Sequence, residues 1–307
     1  MTASGGGCFD FAVRSGIPFR YLRAGGTDPL EVVEQRSSPD APTGDPLIEW
    51  RPRADHPFHA RLHAGGEGYR FWVDGLGTYD VRPGGALPRI VVPAGADPIG
   101  REERLWGIPA VLCFLARGDH SLHAGSVDLG GRAVAFGAPG RYGKTTLAAA
   151  FVAAGHRLLA EDSTCVRTTG AEASAVPGPA MLRVRRDTFE HLAVPGATVI
   201  ARDDDRVHLS LDLERRGTCD PVPLAGVVLL RTWEEDTCRL EPVSTDDAIP
   251  DLWALSFHPP TDDGRAACFD RIAALVAAVP VWNLYRPLRY DRLPQVIDLI
   301  AEVTPLP

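Results

Sequence analysis

The chain is short of several things, and each shortage removes a class of function. No run approaches the roughly 18 apolar residues of a membrane-crossing helix. The opening stretch MTASGGGCFDFAVRSG carries no apolar segment of the kind that leads a secreted chain. The expectation is a soluble, cytoplasmic protein. Basic residues are outnumbered: 32 Lys and Arg against 40 Asp and Glu give a net charge of −8, with a pI near 5.6. That balance argues against nucleic-acid binding, which needs a basic surface. The six cysteines, Cys8, Cys113, Cys165, Cys219, Cys238 and Cys268, have no CxxC spacing, and the histidines have no metal-ligand spacing. Neither a disulfide frame nor a zinc site follows. Cys113 and Cys268 sit in apolar stretches and read as small buried hydrophobes. There is no internal repeat. The first hundred residues hold no cluster of His, Cys or paired carboxylates at catalytic spacing.

What is present suits a folded enzyme of one large or two modest domains. Over 307 residues, 45% are hydrophobic, enough for a real core. The first hundred residues are rich in Gly and Pro. Short runs such as Phe9-DFAVRSG, Tyr69-RFWVDG and Ile90-VVPAG predict small strands and turns, and Ser37-SPDAPTGDP predicts a loop. Composition then shifts, and LWGIPAVLCFLARG predicts a buried helix joining two halves. The division drawn is a β-rich accessory domain over 1–104 and an α/β catalytic domain over 105–307. In the second half, Leu122-HAGSVDL and Arg132-AVAFGA read as strands around a Gly130-Gly131 turn. Leu224-AGVVLLRTW and Val281-WNLY are further strands. Gly264 to Val279 predicts an amphipathic helix with Phe269, Ile272, Leu275 and Val276 on one face. Asp291-RLPQVIDLIAEV predicts a last helix capped by Asp291, with Leu293, Val296, Ile297 and Ile300 inward.

The most specific stretch is FGAPGRYGKTTLAAA. An apolar strand, Arg132-AVAF-Gly137, runs into Ala138, Pro139, Gly140, Arg141, Tyr142, Gly143, Lys144, Thr145 and Thr146. A helix then begins by Leu147 and closes at Gly155. Strand, tight loop, helix is the context in which Gly-x-x-Gly-Lys-Thr spacing cradles phosphate, with Ala138 standing where glycine is more usual. Backbone N–H groups of Arg141 to Thr145 and the positive helix end would meet the oxygens. Lys144 would add a full charge, and the Thr145 hydroxyl a ligand for Mg²⁺. The implied cofactors are ATP and Mg²⁺.

Such a loop needs a carboxylate for the metal and a group to manage the nucleophile. Leu158-LAED ends a short strand on Glu161 and Asp162, and a neighbouring parallel strand would bring them beside the phosphates. Glu161 is assigned to the metal with Thr145, Asp162 to the proton of an acceptor hydroxyl; the two could exchange roles. His123, on the strand before the loop strand, would orient Asp162 or stabilise the transferring group. Asp162, His123 and Lys144 are the candidate catalytic residues. Arg183, Arg185 and Arg286 are candidate phosphate clamps, and Asp187 a candidate substrate-side carboxylate. Asp203-Asp-Asp205 reads as a solvated loop.

The segment LHAGSVDLGGRAVAFGAPGRYGKTTLAAAFVAAGHRLLAED resembles the catalytic core of the HPr kinase/phosphorylase family and its shorter relatives. These relatives include kinases of lasso-peptide and other peptide natural-product clusters. His123 stands 21 residues before Lys144, and Glu161 and Asp162 stand 17 and 18 after it, as in that family. The resemblance runs from about Leu105 through Val176-PGPAMLRVRRD, Pro223-LAGVVLL and Phe269-DRIAALVAAVPVWNLYRP. Glu-Asp replaces the usual Asp-Asp, Ala138 and Arg141 replace loop glycines, and the glycine-rich segment that contacts HPr has no copy here. The short relatives therefore fit better than the bifunctional enzymes.

The resemblance implies an α/β fold with an HPr-kinase-like P-loop core and γ-phosphoryl transfer to a Ser or Thr hydroxyl. The acceptor it implies is a ribosomally made precursor peptide. The alternatives are a small-molecule hydroxyl kinase and a nucleotide-binding regulatory module without transfer chemistry. The expected partners are a nucleotide and either a precursor peptide or a small hydroxylated substrate, with room for a homo-oligomer but not for nucleic acid or a membrane. The region before Leu105 is expected to wall the site rather than catalyse.

Overall fold

The computed structural model describes residues 5–35, 41–53, 58–203 and 205–304. It is mixed α/β, and its strands form three sheets. The first sheet takes β1 (Gly7–Cys8), β2 (Phe11–Ser15), β3 (Asp28–Glu34), β4 (Ile48–Trp50), β5 (Ala60–Gly65), β6 (Gly68–Val73), β7 (Gly77–Arg82) and β8 (Arg89–Val92). Their order is β1-β2-β3-β8-β7-β6-β5-β4. The strands alternate buried and exposed residues, as a sheet with one covered face should. The cover is a helix pair, α1 (Pro98–Leu105) and α2 (Ile108–Arg117). Sequence pattern predicted one helix through LWGIPAVLCFLARG. The chain instead breaks at Trp106-Gly107 and restarts with Pro109 in the first turn of α2, where a missing N–H costs nothing. The apolar residues of α2 pack in one core with the first sheet, and Cys165, Val176 and Met181 of the second half join that core. Of the predicted Ser37–Pro46 loop, residues 41–46 carry no regular element and the rest lies outside the described residues.

The second sheet is built from β9 (His120–Leu122), β10 (Ala124–Asp128), β11 (Ala133–Gly137), β12 (Arg157–Ala160), β13 (Thr164–Thr169) and β14 (Glu172–Val176), and from three later strands. A third sheet, in the order β15-β17-β16, holds β15 (Met181–Arg185), β16 (Ala197–Arg202) and β17 (Arg206–Leu211). The second sheet is then completed by β18 (Val222–Thr232), β19 (Arg239–Val243) and β20 (Val281–Arg286). The order β12-β10-β11-β18-β14-β13-β9 has β20 beside the second half of β18. β11, β18 and β20 run parallel, and helix α3 (Lys144–Ala153) follows β11. The helix begins at Lys144, three residues earlier than apolar periodicity alone suggested. Gly155, at φ 99°, ends it.

Three local expectations are corrected. Tyr290–Arg292 forms a 3-10 turn, and the last helix, Leu293–Glu302, has Arg292 rather than Asp291 at its cap; Asp291 pairs with Arg289. Leu293, Val296 and Ile300 of that helix are buried, and Ile297 partly so. In the helix Asp262–Ala278, Ile272 and Leu275 are buried but Phe269 is half exposed, so it lies off the covered face. Asp203 is not simply solvated. It accepts from the N–H groups of Asp205 and Arg206 and pairs with His208 at 3.0 Å; Asp204 lies outside the described residues. Among the described residues no helix is long and apolar enough to cross a membrane.

Arg23 joins the first half to the edge of the second sheet. It is 2% exposed and has no carboxylate partner among the described residues. Its guanidinium donates to Gly178 O at 2.6 Å, Leu158 O at 2.8 Å, Leu159 O at 3.3 Å, and Arg216 O. β12 is an edge strand, so its outer carbonyls need donors from elsewhere, and Arg23 supplies them together with the Gly178 N–H, which reaches Leu159 O at 2.9 Å. Burial pushes the Arg23 pKa down to about 10. Arg23→Met should keep the stem but remove this donor from the Leu158, Gly178 and Arg216 carbonyls, while Leu159 O keeps the Gly178 N–H at 2.9 Å. A loss of about 3–5 kcal/mol is expected in urea unfolding; a loss under about 1 kcal/mol would show that water replaces the donors.

His120 is also buried, at 2% exposure. One ring nitrogen meets Ser256 Oγ at 2.9 Å, and Nδ1 has no partner. Burial, then the charges of Arg271 and His258, pushes its pKa down to about 3. The unfolded chain takes up this proton near pH 6.5, while the native chain stays neutral until about pH 3. Stability should therefore fall as pH drops below about 6.5, by about 2 kcal/mol from this group by pH 5. His120→Gln should flatten that slope between pH 6.5 and 5, and an unchanged slope would assign it elsewhere.

Candidate active site

The candidate site forms where strands end. β11 delivers the chain to Ala138 at its carboxyl end, and β12 delivers Glu161 and Asp162. The two strands point the same way but are not neighbours: β10 lies between them, antiparallel to both. The sequence expectation of an adjacent parallel strand is thus corrected to one strand removed, with the same outcome at the strand ends. Gly125 of β10 allows it. A Cβ there would come within 2.4 Å of the Phe136 ring and 3.1 Å of Glu161 O.

The loop from Ala138 to Gly143 turns sharply, with Arg141 at φ 71° and Gly143 at φ 75°. Gly143 needs its lack of a side chain twice over. Its backbone is left-handed, and a Cβ would sit 3.0 Å from the Arg286 guanidinium. Arg286 donates to Tyr142 O at 2.8 Å, so it braces the loop from behind. No side chain caps α3, and the first N–H groups of a helix have no carbonyl partners within it. Those of Lys144, Thr145 and Thr146 face the loop end. Thr146 Oγ1 meets Thr188 Oγ1 at 2.9 Å, which meets the Tyr290 hydroxyl at 3.0 Å. That chain fixes the outer side of the helix start.

Lys144 is 5% exposed. Its Nζ donates to Ala138 O at 2.7 Å and Pro139 O at 3.1 Å, and meets His123 Nε2 at 2.9 Å. A lysine can only donate, so Nε2 accepts, and the ring proton belongs on Nδ1. Nδ1 lies 3.6 Å from Asp162 Oδ1. His123 was expected inside a strand. It occupies the bend between β9 and β10, where its N–H bonds Leu255 O at 2.6 Å. Desolvation, opposed by Asp162 but aided by Lys144, lowers the His123 pKa, so the ring is neutral near pH 7. Desolvation likewise lowers the Lys144 pKa, with Asp162 and Glu161 opposing. For Asp162, desolvation works against the charged form. The neighbouring His123 ring, then the cationic groups of Arg183, Lys144 and Arg206, outweigh it and hold the pKa below the usual carboxylate value. Asp162 is therefore ionised at neutral pH.

Glu161 is 4% exposed. One oxygen accepts from Thr145 Oγ1 at 3.1 Å and the other from Arg183 Nε at 3.1 Å. The Glu161 charge raises the Arg183 pKa. Among the described residues no group of three or more His, Cys, Asp and Glu forms a metal cage. The Thr145–Glu161 pair fits Mg²⁺ nonetheless, because that ion commonly takes one or two protein oxygens and fills its remaining places with phosphate and water. Arg185 and Asp187 lie apart: Arg185 pairs with Asp205 at 3.6 Å, and Asp187 accepts from Thr188 N.

A cavity of about 440 Å³ opens beside the acidic pair. His123, Glu161, Asp162 and Arg183 line it from the second half, Trp50, Phe58, Phe71 and Arg104 from the first, and Trp106 from the end of α1. Sequence reasoning marked none of this second group. Their spacing is that of ordinary core aromatics, and nothing local signals a shared wall.

No protein-family model matches the chain, and neither does any curated protein. Among solved structures, the Hpr(Ser) kinase/phosphatase from Coxiella burnetii is similar over 59% of this chain and 93% of its own, at 12% identity and a TM-score of 0.31.

Lys144→Ala should remove the one lysine at the loop and weaken binding of ATP with Mg²⁺ by about 2–4 kcal/mol. Calorimetry reads this directly, and an unchanged affinity would remove the loop from nucleotide binding.

Proposed function

We propose that the chain is an ATP-dependent phosphotransferase that moves the γ-phosphoryl group onto an acceptor hydroxyl. The observation that carries the reading is the convergence at one loop of Lys144, His123 and Asp162 with Thr145, Glu161 and Arg183. Lys144 and the amides at the start of α3 hold the β- and γ-phosphates, Lys144 exchanging its two carbonyl partners for phosphate oxygens. Thr145 and Glu161 would hold Mg²⁺, which supplies neutralisation of phosphate charge. Arg183 keeps Glu161 turned toward Thr145.

The acceptor oxygen bonds to the γ-phosphorus while the β–γ bridging oxygen leaves with its electron pair. The hydroxyl proton passes to Asp162. His123 accepts from Lys144 at Nε2 and turns Nδ1–H toward Asp162 Oδ1, 3.6 Å away, and so lies between the proton acceptor and the phosphate clamp. A carboxylate of lowered pKa is a weak base. That suffices for a loose phosphoryl transition state, where orientation of the hydroxyl and charge stabilisation dominate.

By resemblance the acceptor is a Ser or Thr hydroxyl of a precursor peptide. The aromatic cavity beside Asp162 supports the alternative acceptor, a small hydroxylated compound.

Asp162→Asn should bind ATP within about threefold of the parent and lose phosphoryl transfer by about 10²–10⁴. Mg²⁺-dependent ADP release with water as a slow acceptor reports the change. A rate near that of the parent would move the proton acceptor to Glu161.

A further inference from the structure

The cavity holds two ingredients that a water-filled access path does not need. The first is a set of aromatic rings, Trp50, Phe58 and Phe71 from the first half and Trp106 at the end of α1, that line the cavity with Asp162. Flat apolar walls with a few convergent polar groups are the usual make-up of a small-molecule site. About 440 Å³ lies toward the small end of the roughly 300–1,000 Å³ range of such sites. The second is an unbalanced charge. Each carboxylate on the cavity wall has a cationic or ring-nitrogen partner: Glu161 has Arg183, Glu103 has His208 at 2.7 Å, and Asp162 has His123. Arg104 has none. Its guanidinium sits 4.4 Å over the Phe58 ring and makes no hydrogen bond or ion pair among the described residues. Glu103, the carboxylate next to it in sequence, is already held by Tyr21 and His208.

A largely desolvated guanidinium with open donors is a strong receptor for a carboxylate. Its place over the Phe58 ring holds the guanidinium at the cavity before any ligand arrives. We infer that the phosphoryl acceptor is a small aromatic or similarly flat hydroxy acid, its ring against Trp50, Phe71 and Trp106, its anion on Arg104 and its hydroxyl at Asp162. This rests on the phosphotransferase reading and narrows its acceptor from any hydroxyl to that class. It also gives the first half a role in choosing the substrate. A bound ring displaces water from the Asp162 side and so favours transfer over hydrolysis.

The test uses the full chain and four probes: 3- and 4-(hydroxymethyl)benzoate, uncharged 4-methylbenzyl alcohol, and an uncharged-side-chain peptide with an internal serine. Calorimetry with each probe alone reads the cavity without requiring turnover, and phosphate transfer from ATP with Mg²⁺ reads the reaction. At least one benzoate should bind ten or more times tighter than the alcohol and be phosphorylated on its hydroxymethyl oxygen. Arg104→Met should erase the preference for the carboxylate, and Trp50→Leu should weaken the benzoate and the alcohol alike, about tenfold. An ATP titration of each variant serves as the folding control.

The inference is overturned if neither benzoate binds, if Arg104→Met leaves the preference intact, or if the peptide is phosphorylated with a kcat/KM above both benzoates. In each of these cases ATP binding that depends on Lys144 would leave the phosphotransferase reading standing. Benzoate binding with no ATP binding would instead sink the phosphotransferase reading and, with it, the assignment of the cavity to an acceptor.

Discussion

A strand at the edge of a sheet exposes carbonyls that water normally satisfies, and in this protein the strand that ends on Glu161 and Asp162 is such an edge. Its outer face is covered by the first half of the chain, so water is excluded and donors must come from protein. Arg23 provides them with one planar group that reaches Leu158, Leu159, Gly178 and Arg216. A lysine could serve fewer carbonyls, and its ammonium is more strongly hydrated. Because the acidic pair begins two residues beyond Leu159, the position of both carboxylates follows from how this edge is held. Arg167 adds a second clasp between the halves, bonding Asp10 at 2.8 Å and Asp119 at 3.0 Å.

The same covering creates the cavity. Helices α1 and α2 close the face of the first sheet, and the aromatic residues at that margin come to lie opposite β12. The site is therefore composite. One wall is the phosphate loop and its charged neighbours, fixed by strand ends. The other is aromatic and carries Arg104, fixed by the packing of α1 beneath the first sheet. Glu102, two residues before Arg104 on α1, accepts from the N–H groups of Arg20 and Tyr21 and from the Trp106 indole. Those bonds lock α1 to the segment that carries Arg23. The edge clasp and the aromatic wall are thus parts of one assembly.

Charge inside the site is arranged as a relay of neighbours rather than as isolated pairs. Lys144 holds His123, His123 faces Asp162, and Arg183 holds Glu161, which holds Thr145. Every member fixes the tautomer or orientation of the next. Lys144 resting on the Ala138 and Pro139 carbonyls keeps a buried ammonium satisfied in the absence of phosphate.

The sequence by itself determined the local elements whose signals are local. The strand before Ala138, the glycine-bracketed turn, the helix through Leu147 and the strand ending on the acidic pair all follow from apolar runs, glycines and helix formers within forty residues. His123, Lys144, Thr145, Glu161 and Asp162 were legible because they belong to that one span. Arg183 was legible only as one arginine among several; it shares a face of β15 with Arg185, and what separates the two is position along the strand, which sets Arg183 beside Glu161 and Arg185, at the strand end, beside Asp205. Only the tertiary structure decided the rest. Arg23 lies 135 residues from Leu158, and Arg104 and Trp50 reach the acidic pair across a packing of two halves. No periodicity or spacing can encode that Arg104 and Trp50 line one cavity with the acidic pair, because it depends on which face of a sheet is covered and by what.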